Sequence, residues 1–340
     1  MREAVGAFGS RRKLSMRFAI LGCGGIAHTM AQTVTRMEDV EPYAIASRDK
    51  LKAEDFARQY GFTKAYGSYE EMLDDDSVEL VYIAVPHSHH HEWTLKALNA
   101  GKNVLCEKAF AVNEAQTREM IELSEKKGLL LAEAIWTRYM PSRRMLTEIL
   151  EKGTIGRLRT VSANLGYKID MNERLVRPEL AGGALLDLSV YTLNFASMVW
   201  GDDIKRINAS CVMTDTGVDG QDSIMLEYQD GRMASLFTTI YTLTNRMGHI
   251  AGTEGFIEVE NINNPQEIRI YAPDRNDPRL IERIRVPEQI TGYEYEVISC
   301  MKAIEEKRIE CPEMPHSQTI QIMCQMDRIR EQFGIRYPFE

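Results

Sequence analysis

The chain contains no stretch of about 18 or more apolar residues, so a membrane-spanning helix is not expected. Cysteine is sparse and scattered. Its six residues, Cys23, Cys106, Cys211, Cys300, Cys311 and Cys324, form no Cys-x-x-Cys pair and no His–Cys zinc spacing. That argues against a disulfide scaffold or a zinc module and suits free thiols in a reducing cytoplasm. Basic charge is not in excess either. Lysine and arginine number 41 against 50 acidic residues, for a net charge of −9. Nucleic acid and anionic membrane need basic surface, so neither is expected as a partner. Residues 1–15 have no apolar segment long enough for a secretory signal and read as an unstructured leader, with Met16 as an alternative start.

At 340 residues the chain exceeds what one hydrophobic core usually supports, which implies two domains. From 16 to 134, short apolar runs alternate with helical spacing: 17–22, 42–47, 79–85, 103–106 and 129–134 as strands, with helices at 26–37, 50–60, 92–100 and 113–127 between them. Leu51, Phe56 and Ala57 are the expected inner face of the second helix, and Asn113 and Gly128 bound the last. This rhythm predicts a doubly wound parallel sheet. After about Ala134 the rhythm changes. Helices at 141–152 and 184–200 frame a long strand beginning at Arg157. Further long strands follow without intervening helices, with a hairpin signal at Gln229-Asp230-Gly231. Two helices, 292–307 and 317–333, close the chain. The fold class is therefore α/β, a parallel doubly wound domain over 16–134 followed by an α/β domain over 135–340 with a large, mostly antiparallel open sheet. The last helix is expected to dock back on the first domain. The sheet's open face suggests a homodimer or higher homo-oligomer.

Between the first strand and first helix lies Gly22-Cys23-Gly24-Gly25-Ile26-Ala27. In this strand–turn–helix setting the pattern points to a dinucleotide-binding Rossmann unit. Gly22 permits the tight turn, Gly24 lets a pyrophosphate approach the backbone, and Gly25 and Ile26 open a helix whose free N–H groups face the phosphates. The second strand ends at Ala46-Ser47-Arg48-Asp49. Ser47 is neutral, and Arg48 suits a 2′-phosphate, which favours NADP. A shift of one residue would instead make Asp49 the ribose acceptor of NAD.

Two further segments carry candidate chemistry. Cys106-Glu107-Lys108 follows a strand, at the end of the sheet where ligands bind, although a loop lysine is commonly a solvated charge. Gly182-Gly183-Ala184-Leu185-Leu186-Asp187 begins a helix on which Asp187 and Tyr191, four apart, share one face. An ordinary amphipathic helix is the plainer alternative. Together with Ala84-Val85-Pro86-His87-Ser88-His89-His90 and 100–108, these segments resemble the glucose–fructose oxidoreductase/inositol dehydrogenase/MocA family, from about Arg17 to the C-terminus. Residues 133–141 and Tyr191 resemble its dihydrodiol and D-xylose dehydrogenase branch.

The resemblance implies an NAD(P)-dependent dehydrogenase acting on a sugar, polyol or trans-dihydrodiol. It places Lys108, Tyr191 and Asp187 in catalysis and Pro86, His90, Glu107, Trp136 and Arg138 around the nicotinamide. Ala109 stands where the family carries proline. A free phenol has a pKa of about 10, and the Lys108 ammonium beside it is expected to pull that of Tyr191 down by roughly 1–3. His87 reads as a loop residue; Arg174 and Arg177, in the pocket-lining loop 166–181, could read a hydroxyl or an acidic group, with surface charge the default reading. The histidines at 87 and 89–91 match no single-face metal pattern. A non-catalytic dinucleotide-binding regulator and an NAD-dependent glycoside-cleaving enzyme remain the alternatives.

Overall fold

The computed structural model describes residues 15–274 and 277–340, so the expected leader lies outside the described residues but for Ser15. Two sheets form its frame. The first contains β1 (Met16–Leu21), β2 (Val40–Ala46), β3 (Lys64–Tyr66), β4 (Leu80–Ile83), β5 (Asn103–Glu107) and β6 (Leu131–Ala134), in the order β3-β2-β1-β4-β5-β6. All its pairings are parallel. The connecting helices include α1 (Gly25–Val34), α2 (Lys50–Tyr60), α3 (Tyr69–Leu73), α4 (His90–Asn99) and α5 (Glu114–Lys127). The strands read as continuous apolar runs because helices cover both faces. Strand order reverses beside β1, so the carboxyl ends of β1 and β4 open a crevice there.

Local signals set the helix ends. Asn113 accepts from the Gln116 N–H to cap α5, and Gly128 closes it in the left-handed region. Asp49 caps α2 through the N–H groups of Leu51 and Lys52. The inner face of α2 differs from expectation. Ala53 and Phe56 are buried, whereas Leu51 is 71% exposed in the first turn. The three-residue edge strand β3 carries too little apolar pattern to announce itself in sequence.

The second sheet contains β7 (Leu158–Gly166), β8 (Ile204–Met213), β9 (Asp219–Tyr228), β10 (Met233–Thr239), β11 (Gly248–Gly252), β12 (Gly255–Val259), β13 (Glu267–Ala272) and β14 (Arg279–Arg285). Its order is β14-β13-β12-β11-β7-β10-β9-β8, antiparallel except for β7 with β10. The β9–β10 hairpin turns at the expected Gln229–Gly231. β14 was not legible as a strand, since its seven residues leave almost no buried pattern. One face of the sheet receives α7 (Val190–Trp200) and α9 (His316–Phe333). Met225 and Met233 are exposed on the other face. Helix α6 (Pro141–Glu151) packs on α7, and α8 (Glu294–Glu305) on β5. The Glu114 N–H donates to Asp327 of α9, tying the last helix to α5. Among the described residues no helix is long and apolar enough to cross a membrane.

The turn after β1 is set by one close approach. Gly22 has φ of 111°, and a Cβ there would stand 2.5 Å from the Ala84 carbonyl oxygen. Gly22→Ala should therefore cost about 2–4 kcal/mol of stability, read as a lower urea midpoint, because both backbone conformation and contact oppose it. An unchanged midpoint would show that this approach does not set the spacing of β1 and β4.

Candidate active site

Three connections converge at the crevice: the turn after β1, the loop after β4 and the end of β5. They bound a cavity of about 420 Å³ whose lining includes Gly24, Gly25, Pro86, Glu107, Lys108 and Tyr191. A larger hollow of about 950 Å³ lies at the opposite end of β1, among Met16, Met37, Ile298 and Met301. The chemistry converges at the smaller one. Gly24 precedes α1 with no side chain capping the helix, and a Cβ on Gly25 would meet nothing within 4 Å. Open backbone N–H groups beside a small residue fit a dinucleotide pyrophosphate.

Asp187 is the centre of the polar lining. It lies in a wide turn, Leu185–Ser189, where the Val190 N–H reaches back to the Leu185 carbonyl, rather than in the regular helix expected from 184 onward. Lys108 Nζ donates to Asp187 Oδ1 at 3.2 Å and to its backbone oxygen at 2.9 Å. Arg174 donates to the same Oδ1 at 2.9 Å, and His87 Nε2 stands 3.9 Å away. Burial pushes the Asp187 carboxyl up, but Lys108, Arg174 and His87 outweigh it and hold the acid well below the ordinary carboxylate range. Arg174 is thus a site residue, not the surface charge expected. His87 is likewise 3% exposed, with Nδ1 on the Ala181 carbonyl, and burial lowers its pKa to about 3.

The Lys108 ammonium lies 5.0 Å from the centre of the Tyr191 ring. The Tyr191 hydroxyl accepts from Trp136 Nε1 at 3.1 Å, and Trp136 stacks on Tyr293 with centroids 4.3 Å apart. The expected fall in the Tyr191 pKa does not occur. Burial, then the nearby Tyr293 and Glu107, push the phenol well above its usual value, and the hydrogen bond from Trp136 only partly opposes them. The physical reason is burial, which disfavours the charged phenolate, with the Asp187 carboxylate beside Lys108 a smaller contribution in the same direction.

His90 lies between the loops after β4 and β5, with Nδ1 2.8 Å from the Ala109 carbonyl and Nε2 2.8 Å from the Val85 carbonyl; burial lowers its pKa to about 4, and the neutral ring donates to one of the two. Glu107 contacts the Tyr82 hydroxyl, and burial raises it to about 7 despite Lys108. Ser47 is buried at the end of β2, where its Oγ accepts from the Asp49 N–H, and Arg48 beside it is exposed. Arg138 turns away from the cavity. Its guanidinium is held in the interior by Asn194 at 2.5 Å and Ser197 at 2.8 Å. The two hydrogen bonds fix that orientation.

Sequence reasoning missed Asn172 and Tyr293, which also line the cavity. Gly292 carries the one local signal for the second. Its φ is 100°, and a Cβ there would stand 2.6 Å from the Trp136 ring, so glycine leaves room for the stack.

The same arrangement of domains recurs in known proteins. Residues 16–134 match an oxidoreductase family model with an NAD-binding Rossmann fold, and 144–258 match the GFO/IDH/MocA C-terminal domain. The trans-1,2-dihydrobenzene-1,2-diol dehydrogenase of Mus musculus is 32% identical, covering 96% of this chain and 99% of its own. That of Sus scrofa is 39% identical over 72% of this chain and 74% of its own. In fold, the chain is similar to KijD10, a 3-ketoreductase from Actinomadura kijaniata crystallised with NADP and TDP-benzene, at a TM-score of 0.86, 23% identity and coverage of 94% and 98%. The aldose–aldose oxidoreductase of Caulobacter crescentus gives 0.82 at 24% identity, with coverage of 94% and 97%. A glycine turn opening onto a polar cleft, in a chain matched by both domain models, makes this protein a member of the Gfo/Idh/MocA oxidoreductase family.

Proposed function

We propose that the protein is an NADP-preferring dehydrogenase that interconverts a secondary alcohol and its ketone on a trans-dihydrodiol, sugar or polyol, with Tyr191 as the proton-transfer group. The observation that carries this reading is the Lys108 ammonium, 5.0 Å from the Tyr191 ring centre and anchored by Asp187. Gly24 and Gly25 would hold the pyrophosphate of the dinucleotide, whose nicotinamide would supply or accept the hydride when bound. The residues manage the proton. Because burial keeps the Tyr191 phenol protonated, it serves first as the donor to a carbonyl oxygen in the reductive direction. As that proton leaves, Lys108 stabilises the nascent phenolate. Asp187 orients Lys108, and Trp136 fixes the hydroxyl by donating to it. In oxidation the same groups run in reverse.

Preference for NADP rests on the end of β2. Asp49 is engaged in capping α2, while the exposed Arg48 remains available to a 2′-phosphate. The names of the dihydrodiol dehydrogenase relatives support a diol as substrate. The exposed apolar side chains on the outer face of the second sheet suit a homodimer, and the six free cysteines suit the cytoplasm.

Tyr191→Phe and Lys108→Ala should each lower kcat by about 100-fold or more at every pH, with a much smaller change in the KM for NADPH. Near-normal kcat in both variants would end this reading. Glu107 provides a second test. Its raised pKa means the ionised form destabilises the fold: stability is fully present below the ordinary carboxylate range and lost as pH rises through about 7. Glu107→Gln should therefore gain stability on the unmodified protein as pH climbs from about 5 to 8, by on the order of 1–3 kcal/mol, read as a widening gap in thermal midpoint. A gap independent of pH would show that Glu107 is ionised throughout.

A further inference from the structure

Beneath the turn that carries Asp187 lie two carboxyls that the chemistry above does not use. Asp219 and Asp222 are both on β9, and each is 1% exposed. Asp219 Oδ2 accepts the Leu185 N–H at 2.5 Å, at the start of the turn. Asp222 Oδ2 accepts the Ser189 hydroxyl at 2.7 Å, at its end, and Ser189 also meets Thr238 Oγ1 at 2.6 Å. The two acids therefore grip opposite ends of the five residues with Asp187 between them. The room for this is specific. A Cβ on Gly183 would stand 2.2 Å from Asp219 Oδ1.

The remaining oxygen of each acid, Asp219 Oδ1 and Asp222 Oδ1, is buried and receives no donor from any other described residue. Both carboxyls reach from one strand to the same five-residue turn. The groups facing the pair are neutral: Cys211 on β8, Thr238 on β10, Ser189 in the turn, Tyr241 after β10, and Tyr337 near the C-terminus. Arg330, over the Tyr337 ring, is paired with Glu340. Among the described residues no salt bridge reaches either acid. Two bare carboxylates in this setting would repel at short range without compensation, whereas one proton between their free oxygens removes a charge and supplies the missing donor.

We propose that Asp219 and Asp222 are positioning residues that hold a single proton between them and thereby fix the turn presenting Asp187 to Lys108. The inference rests on the reading of Lys108, Asp187 and Tyr191 as the reacting set. Burial raises Asp219 to about 6, and burial together with the Asp219 charge raises Asp222 well above the ordinary carboxylate range. Their raised values place the stability this pair contributes below the ordinary carboxylate range, and it is lost as pH rises through the folded-state values. Asparagine can replace one member, since its amide donates where the proton stood and its oxygen still accepts from the turn.

The test uses the full chain, with trans-1,2-dihydrobenzene-1,2-diol and NADP as probes, and compares Asp222→Asn, Asp219→Asn, Asp222→Ala and the double asparagine variant. Each single asparagine variant should keep kcat within about threefold and gain on the unmodified protein in thermal midpoint as pH rises from about 5 to 8. Asp222→Ala and the double variant should lose kcat about tenfold or more, with the Kd for NADPH, read by fluorescence, changed far less. Single asparagine variants whose midpoints parallel the unmodified protein at all pH values would overturn the shared proton. Full kcat in Asp222→Ala would overturn the positioning role. Should alanine prevent folding, the single asparagine variants still decide the question. Tyr191→Phe measured alongside separates the two ideas: if it is fully active, the reacting set has been misassigned, whereas the midpoint data report on the shared proton independently of any substrate.

Discussion

The pairing of Lys108 with Asp187 is the interaction on which the site depends. Lys108 extends from the end of β5 in the first sheet, and Asp187 is held against the second, so one charged contact joins the two halves of the molecule at the crevice. Burying either ion alone would carry a desolvation cost of several kcal/mol, and the geometry meets that cost with two hydrogen bonds from one ammonium and a third from Arg174. The price is positional: neither side chain can move without exposing an unpaired charge in a low-dielectric setting.

That constraint explains the behaviour of Tyr191. A free ammonium 5.0 Å from a phenol ring would be expected to favour the phenolate, yet the phenol is raised. Asp187 returns a negative charge to the same neighbourhood, and Glu107 and Tyr293 lie close by. The balance leaves a neutral phenol. His87 and His90, both neutral through burial, add no competing titration near neutral pH.

The layers beneath the site serve the same end. Trp136 donates from its ring edge to the Tyr191 hydroxyl and stacks its face on the Tyr293 ring, with Gly292 leaving space for it. His90 packs between the Val85 and Ala109 carbonyls of the loops after β4 and β5. Arg138, Asn194 and Ser197 bind α7 to the segment after β6 from the interior. A polar interior of this extent is tolerable because most of its groups find partners, and it restricts the site to one arrangement.

Much was legible in the sequence, for reasons local to the chain. Strand–helix alternation with glycine stops follows from periodicity and backbone sterics, so the parallel sheet, the Gly22–Ala27 turn and the Gln229–Gly231 hairpin could be read directly. The segments around Lys108, Asp187 and Tyr191 were legible as candidates because polar groups at strand and helix ends stand out against apolar runs. Tertiary structure decided the rest. Which charge pairs with which, that Arg174 and His87 face Asp187, that Arg138 turns inward, and that Asp219 and Asp222 hold the two ends of the turn all depend on contacts between distant segments. Protonation follows the same division: it is set by desolvation and neighbouring charge summed in three dimensions, and no pattern along the chain encodes that sum.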